Sequence, residues 1–272
     1  MTRLKTPLEV YKLLPRSNCG ECGIATCMAF AAAVIKQEKR LADCPHLAED
    51  ILSKYDGNIE LQENIEKIQE RTFKDLQEQI KAIDMTSRAE LLGARSTGST
   101  IVVPCLGRDF EVDGQGRVLS SCHSHAWFSI PLLTYVLYSK GAPVSGRWVP
   151  LRELEQGSMW ERLFERRCEA PLKRIADAHA ELFEDLISMF SGARSDQFSS
   201  DISVVLYPLP KVPILICYWK PEDGMGSKLH VFFDDTAAQN LTMDSLFALG
   251  TGIVRMLEKI MYKHTDGKSG LS

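Results

Sequence analysis

The sequence predicts an α+β protein: a small helical module rich in cysteine, then a larger domain with a mainly antiparallel sheet and flanking helices. Two observations carry that expectation. Four of the eight cysteines crowd into residues 19–44, among helical segments. Beyond residue 96, β-prone runs come in pairs, with helices between the pairs. The expected organisation is a cysteine module over 1–57, a helical bridge over 58–96 and an α+β domain over 97–272 that binds a partner or ligand.

The elements follow in order. In "TPLE", Thr6 is an N-cap, Pro7 takes the first helical position and Glu9 completes a capping box. Pro15 stops that helix after Leu14. "TCMAFAAAVIK" is alanine-rich and apolar on all sides, so burial on more than one face is expected. Pro45 opens "PHLAEDILSKY", which Gly57 can close. Residues 58–96 read as helical and charged, with Ile65, Ile68, Leu76, Ile80 and Ile83 on one face. "STIVVPCLGRDFEVDGQGRVLS" then alternates and turns at "DGQG", which predicts strands joined by a hairpin.

"WFSIPLLTYVLYSKG" is a helix ending at Gly141, with Pro131 near its start. Residues 158–190 form helix in two pieces, broken near Pro171. "ISVVLYPLPKVPILICYWK" gives two strands around a proline-rich turn, and "KLHVFFDD" gives another. "TMDSLFALGTGIVRMLEKIMYK" is an amphipathic helix, N-capped by Thr242 or Asp244.

Composition narrows the function classes. Net charge is −4, the pI is about 5.9 and no basic run occurs, which argues against nucleic acid and anionic membrane surfaces. No apolar run reaches a membrane span, and "MTRLKTPLEVYKLLPRSN" lacks the apolar core of a signal peptide. The expectation is a cytoplasmic protein without membrane insertion. Thiols stay reduced there, so the cysteines point to metal or redox chemistry rather than disulfides.

The stretch "NCGECGIATCMAFAAAVIKQEKRLADCP" holds Cys19, Cys22, Cys27 and Cys44. Three close cysteines and a distant fourth followed by proline suit an iron–sulfur cluster, expected to be [4Fe-4S]. Gly20 and Gly23 tolerate positive φ and let the backbone approach a bulky inorganic core. Cys27 stands at a helix start, where unpaired N–H groups favour an anion. Structural zinc, which prefers paired short knuckles, and unligated core or redox thiols are the alternatives. Reach limits the helix after Cys27. Run to Arg40, it would climb roughly 20 Å at ~1.5 Å per residue, and four residues back to Cys44 span at most about 14 Å. It should therefore end near Lys36 to Glu38.

The run "LEVYKLLPRSNCGECGIATCMAFAAAV…DCP" resembles the N-terminal [4Fe-4S] module of the large subunit of the corrinoid iron–sulfur protein, a methyl carrier of anaerobes. Related modules occur in the Rnf complex B subunit. The resemblance covers residues 7 to about 48 and implies Cys19, Cys22, Cys27 and Cys44 as cluster ligands. It also implies delivery of an electron to an oxidised corrinoid. Gln37 departs from the glycine common at that place, and no Asp-x-His-x-x-Gly cobalamin motif follows. The chain is too short for that family's barrel and cobalamin domains. The remainder, with "LPKVPILICYWKPEDG" and "VFFDDTAAQNL", resembles an uncharacterised family of anaerobes, some fused to this cluster module.

Other residues are candidates of a second order. "SSCHSHAW" offers Cys122, His123 and His125 for a second metal or a haem, with Cys105 nearby across the hairpin; the plainer reading is a polar loop entering a helix. Asp234 and Asp235 end a strand and Glu222 and Asp223 sit in a turn, most simply as solvated groups. Cys168 and Cys217 read as buried inert thiols. Arg166, Arg167 and Arg174 read as a solvated helix face that can also dock an acidic partner, and His179 and His230 have no partner legible in the sequence.

No P-loop, Gly-x-Gly-x-x-Gly or Gly-x-Ser-x-Gly is present. The leading expectation is a one-electron carrier that serves a redox protein partner, a corrinoid protein being one such partner. The alternatives are a redox sensor or accessory factor whose larger domain binds a ligand or client, and an enzyme with a second cofactor near Cys122–His125.

Overall fold

The computed structural model describes residues 4, 6–35, 38–55, 65–120, 126–181, 185, 187, 189–222 and 224–268. The chain forms two units, Met1–Glu70 and Arg71–Ser272, each with its own hydrophobic core. Among the described residues no helix is long and apolar enough to cross a membrane.

The first unit is helical. Helix α1 (Pro7–Leu13) starts with the expected capping box: Glu9 N–H donates to Thr6 Oγ1, and Thr6 N–H donates to the Glu9 carboxylate. Helix α2 (Cys27–Ile35) is N-capped by Thr26, whose hydroxyl accepts from Ala29 N–H at 3.2 Å. Cys27, Phe30, Ala31, Ala33, Val34 and Ile35 are buried, so most of the helix surface is covered, while Met28 is exposed. The helix stops at Ile35, inside the limit set by reach to Cys44. Its end is closed by Glu38 N–H donating to Ala33 C=O at 2.9 Å, the bond pattern of a helix C-terminus turning back. A 3₁₀ turn, Leu41–Asp43, then leads into Cys44. Helix α3 (Glu49–Tyr55) begins four residues after Pro45, later than the sequence suggested, because Cys44 to Leu47 first make a separate turn.

The second unit carries two antiparallel sheets with helices packed on them, the α+β class expected. Of the stretch read as a bridge, Leu76 and Ile80 of α4 (Ile65–Ile80) and Met85, Ala89 and Leu92 of α5 (Met85–Leu92) lie in this core. The first sheet runs β1 (Arg95–Ser96), β2 (Thr100–Cys105), β3 (Arg108–Asp113) and β4 (Val118–Leu119) in sequence order. Two turns build it where the sequence showed one. Besides the turn at Gly114–Arg117, Leu106 and Gly107 form a tight hairpin with φ of 48° and 73°. Leu106 is held in that uncommon conformation by its N–H, which donates to Tyr207 C=O at 2.8 Å.

The second sheet has the order β5 (Trp148–Pro150), β9 (Lys228–Asp234), β8 (Val212–Trp219), β7 (Ile202–Leu209), β6 (Ala193–Arg194). Its inner strands are covered on both faces. Val204, Leu206, Ile214, Ile216 and Phe233 enter the main core, and Val205, Leu215 and Cys217 pack under Trp148, Phe198, Trp219 and Phe232. Helix α6 (Ala126–Tyr138) keeps its course through Pro131. The Arg88 guanidinium donates to the carbonyls of Val136 and Ser139 at its C-terminus, where positive charge is favoured.

Residues 161–178 are not broken at Pro171. Helix α7 (Glu161–Phe164) passes through a π turn (Glu165–Glu169) into α8 (Ala170–Ala178), and that wider turn accommodates the missing proline N–H. A long helix, Met243–Lys268, packs on α6 and on the π turn. It begins with Thr242 at the cap position. Gly252 lets the Trp127 ring approach to where a Cβ would stand only 1.8 Å from Cε3, and Gly250 makes similar room for Phe164.

Candidate metal centre

Cys19, Cys22, Cys27 and Cys44 line one small recess of the first unit, together with Asn18, Gly20 and Pro45. Local backbone conformation brings them there. Arg16, Asn18, Gly20 and Gly23 all take positive φ, so the loop curls tightly, and Gly23 N–H donates to Gly20 C=O at 2.8 Å. The Asn18 side-chain oxygen accepts from Cys27 N–H at 2.8 Å, which ties the loop to the first turn of α2. A Cβ on Gly20 would meet nothing within 4 Å, so positive φ rather than crowding requires glycine there. On the far side, Arg40 N–H donates to the Asp43 carboxylate at 2.9 Å and Cys44 N–H to Leu41 C=O at 3.2 Å.

The four thiols differ in exposure. Cys19 is exposed, Cys22 half-buried, and Cys27 and Cys44 are buried in the core of the unit. Burial pushes the Cys44 thiol up, the His46 backbone N–H draws it back in part, and the nearby sulfurs of Cys22, Cys27 and Cys19 add to the rise. A soft metal or cluster that takes these sulfurs as thiolates removes that cost by neutralising the charge. Four convergent soft donors without a carboxylate among them suit iron–sulfur or zinc, not a hard cation. The residues therefore fit the expected group.

At the rim, Glu21 and His46 approach to 3.0 Å, and their ligand atoms lie within 4.8 Å of the Cys19 sulfur. Sequence reading passed over both. Their only signal was position, Glu21 between two cysteines and His46 next to Pro45.

Comparison with known families places these features. The model described as "Domain of unknown function (DUF3786)" matches residues 84–256, more than half of the chain. The chain belongs to that family. A second model, described as "Putative Fe-S cluster", matches residues 14–46, the segment that folds around the four cysteines, and supports an iron–sulfur cofactor. The same region is 52% identical over 48 residues to the acetyl-CoA decarbonylase/synthase complex subunit gamma of Methanosarcina acetivorans, covering 18% of this chain and 10% of the relative. The Archaeoglobus fulgidus subunit gamma gives 52% over 48 residues with the same coverage, and that of Methanothermobacter thermautotrophicus 53% over 45 residues, 16% and 10%. The chain thus spans about a tenth of the length of the curated relatives it matches. No solved structure matches it.

The remaining candidates fall in the DUF3786 domain. Cys122, His123 and His125 lie outside the described residues, as does Asp223. Cys105, Cys168 and Cys217 are buried singly, and burial pushes each thiol up, in keeping with inert core cysteines. Asp234 overturns the expectation of a solvated strand end. It is fully buried and accepts from the N–H groups of Gly146 (2.7 Å), Thr236 (3.1 Å) and Ser145 (3.2 Å), and from the Thr236 hydroxyl (2.6 Å). Burial pushes its carboxyl up, but these donors outweigh that and hold it below the usual aspartate range. Asp235 pairs with Arg147 at 2.8 Å. Both carboxylates pin the 145–147 loop rather than offer an acid–base pair. His179 caps the end of α8, and His230 Nδ1 stands 3.7 Å from Glu169 beside the Trp219 ring.

Proposed function

We propose that Cys19, Cys22, Cys27 and Cys44 hold one [4Fe-4S] cluster and that the protein passes a single low-potential electron to a redox partner, a corrinoid protein being the first to test. When bound, the cluster supplies one-electron chemistry without proton transfer to substrate. The observation that carries the reading is the convergence of four thiols on one recess within a segment matched by an iron–sulfur family model. The loop residues serve by position: Asn18 fixes Cys27 at the helix start, and Gly20 and Gly23 expose backbone N–H groups beside the sulfurs. Exposed Cys19 and half-buried Cys22 put one side of the recess at the surface of the unit, where a partner can come close.

The partner follows from the relatives named for an acetyl-CoA complex and from the module's resemblance to a corrinoid iron–sulfur protein. Anaerobically prepared protein should contain about four iron and four sulfide per chain. Once reduced, it should restore the reduced optical spectrum of an oxidised corrinoid protein, and Cys22→Ala should abolish both. Zinc without sulfide in anaerobic protein would refute the cluster. A reducible cluster that reduces no partner would leave the second reading, a redox sensor. The placement of Cys27 and Cys44 in the core of the unit favours that reading as runner-up, because loss of ligation there would disturb packing.

A further inference from the structure

The DUF3786 domain bears a groove of about 430 Å³ between the α7–π–α8 segment and the long helix Met243–Lys268. Arg166, Arg167, Arg174 and Arg255 line it, all exposed. Among the described residues none of the four forms an ion pair or a hydrogen bond. Glu258 is the one carboxylate along the lining. Four cations against one anion leave a surplus of three positive charges, on a chain whose net charge is −4. The floor is apolar: Pro171 and Val254 are buried, and Phe247 is half-buried against Trp160.

We infer that this groove docks an acidic amphipathic helix of a partner protein. Guanidinium groups left unpaired around an apolar floor present forks that match carboxylates, while the floor takes aliphatic side chains. Length decides the class of occupant. Arg167 and Arg174 are seven residues apart, two turns along one face, or roughly 10 Å at ~1.5 Å per residue. Arg255 faces them from the other helix. A row of that length suits carboxylates spread along a helix better than a single phosphate, and no backbone N–H cradle closes around the groove among its lining side chains. Each rim pair contributes little by itself. The combination of several such pairs with an apolar seat is the helix-in-groove mode of recognition. The inference does not depend on which cofactor the cysteines hold.

The test uses the full chain and a fluorescein-labelled helical peptide with leucines on one face and glutamates flanking them. Fluorescence anisotropy should show binding that weakens as salt rises and falls about tenfold in Arg167→Glu/Arg174→Glu. Arg167→Gln/Arg174→Gln should weaken it less, and Phe247→Ser should weaken it at any salt. A peptide with lysine for glutamate should not bind. Equal binding of both peptides, no binding of either, or affinity unchanged in the charge-reversed variant would overturn the inference. So would complete displacement by equimolar pyrophosphate, which would mark a small-anion site. Dissociation of a dimer in the charge-reversed variant would assign the groove to a second copy instead. Iron content and reduction of a corrinoid protein are read separately, so failure of one reading leaves the other standing.

Discussion

At the scale of the residue, Asp234 shows how one buried carboxylate organises a loop. Its acceptors serve Ser145, Gly146 and Thr236, which would otherwise be donors facing an apolar strand end. Asp234→Ala should cost about 2–4 kcal/mol, since the loss leaves several donors without partners. The pH dependence follows from its depressed carboxyl. A carboxyl held below its unfolded value of about 3.9 stabilises fully above that pH, and the contribution is lost as pH falls through the folded value. Denaturant melts of Asp234→Asn should therefore show a deficit at neutral pH that narrows below about pH 4. A deficit constant down to pH 2 would show that shape, not charge, is at stake. The role was not legible in the sequence, because the partners at 145–146 lie almost ninety residues away. The cysteines were legible because three of them are joined by short glycine-containing links, and reach alone restricts where the fourth can go.

At the scale of the element, local signals were reliable and long-range ones were silent. The α1 capping box and its proline were readable because every group involved lies within four positions. The Leu106–Gly107 hairpin was not, since a Leu-Gly pair is a weak turn signal and the conformation is stabilised by Tyr207 on another strand. Pro171 was read as a break because its effect on an isolated helix would be one; the π turn absorbs it instead. The long helix has a further feature of this kind in Gly250 and Gly252. Glycine weakens a helix by about 1 kcal/mol relative to alanine, yet Gly252→Ala should destabilise by about 2–3 kcal/mol because the new Cβ would overlap the Trp127 ring. Pairing it with Trp127→Leu should recover part of the loss. A stabilised single variant would mean that the two elements do not pack this closely.

At the scale of the whole molecule, two separate cores predict two unfolding events. Calorimetry of the anaerobic protein should resolve a transition of the cysteine-bearing unit that falls on chelation or in Cys22→Ala. A second transition should respond to Gly252→Ala and not to chelation. One transition moved equally by both would contradict that division. The antiparallel class and most strands of the larger unit could be read from alternation and turn residues, whereas its strand order could not, because β5 joins the edge of a sheet whose other strands come much later in the chain.

Both sheets end on very short strands. Arg95–Ser96 and Val118–Leu119 bound the first, and Trp148–Pro150 and Ala193–Arg194 bound the second. A strand of two or three residues offers few free N–H and C=O groups to a neighbouring molecule, and Pro150 removes one donor outright. The apolar inner strands β7 and β8, which as exposed edges would template fibrillar association, are thereby kept from it. The larger unit should accordingly tolerate high concentration without strand-to-strand aggregation, even in preparations where the thiols of its neighbour have been oxidised.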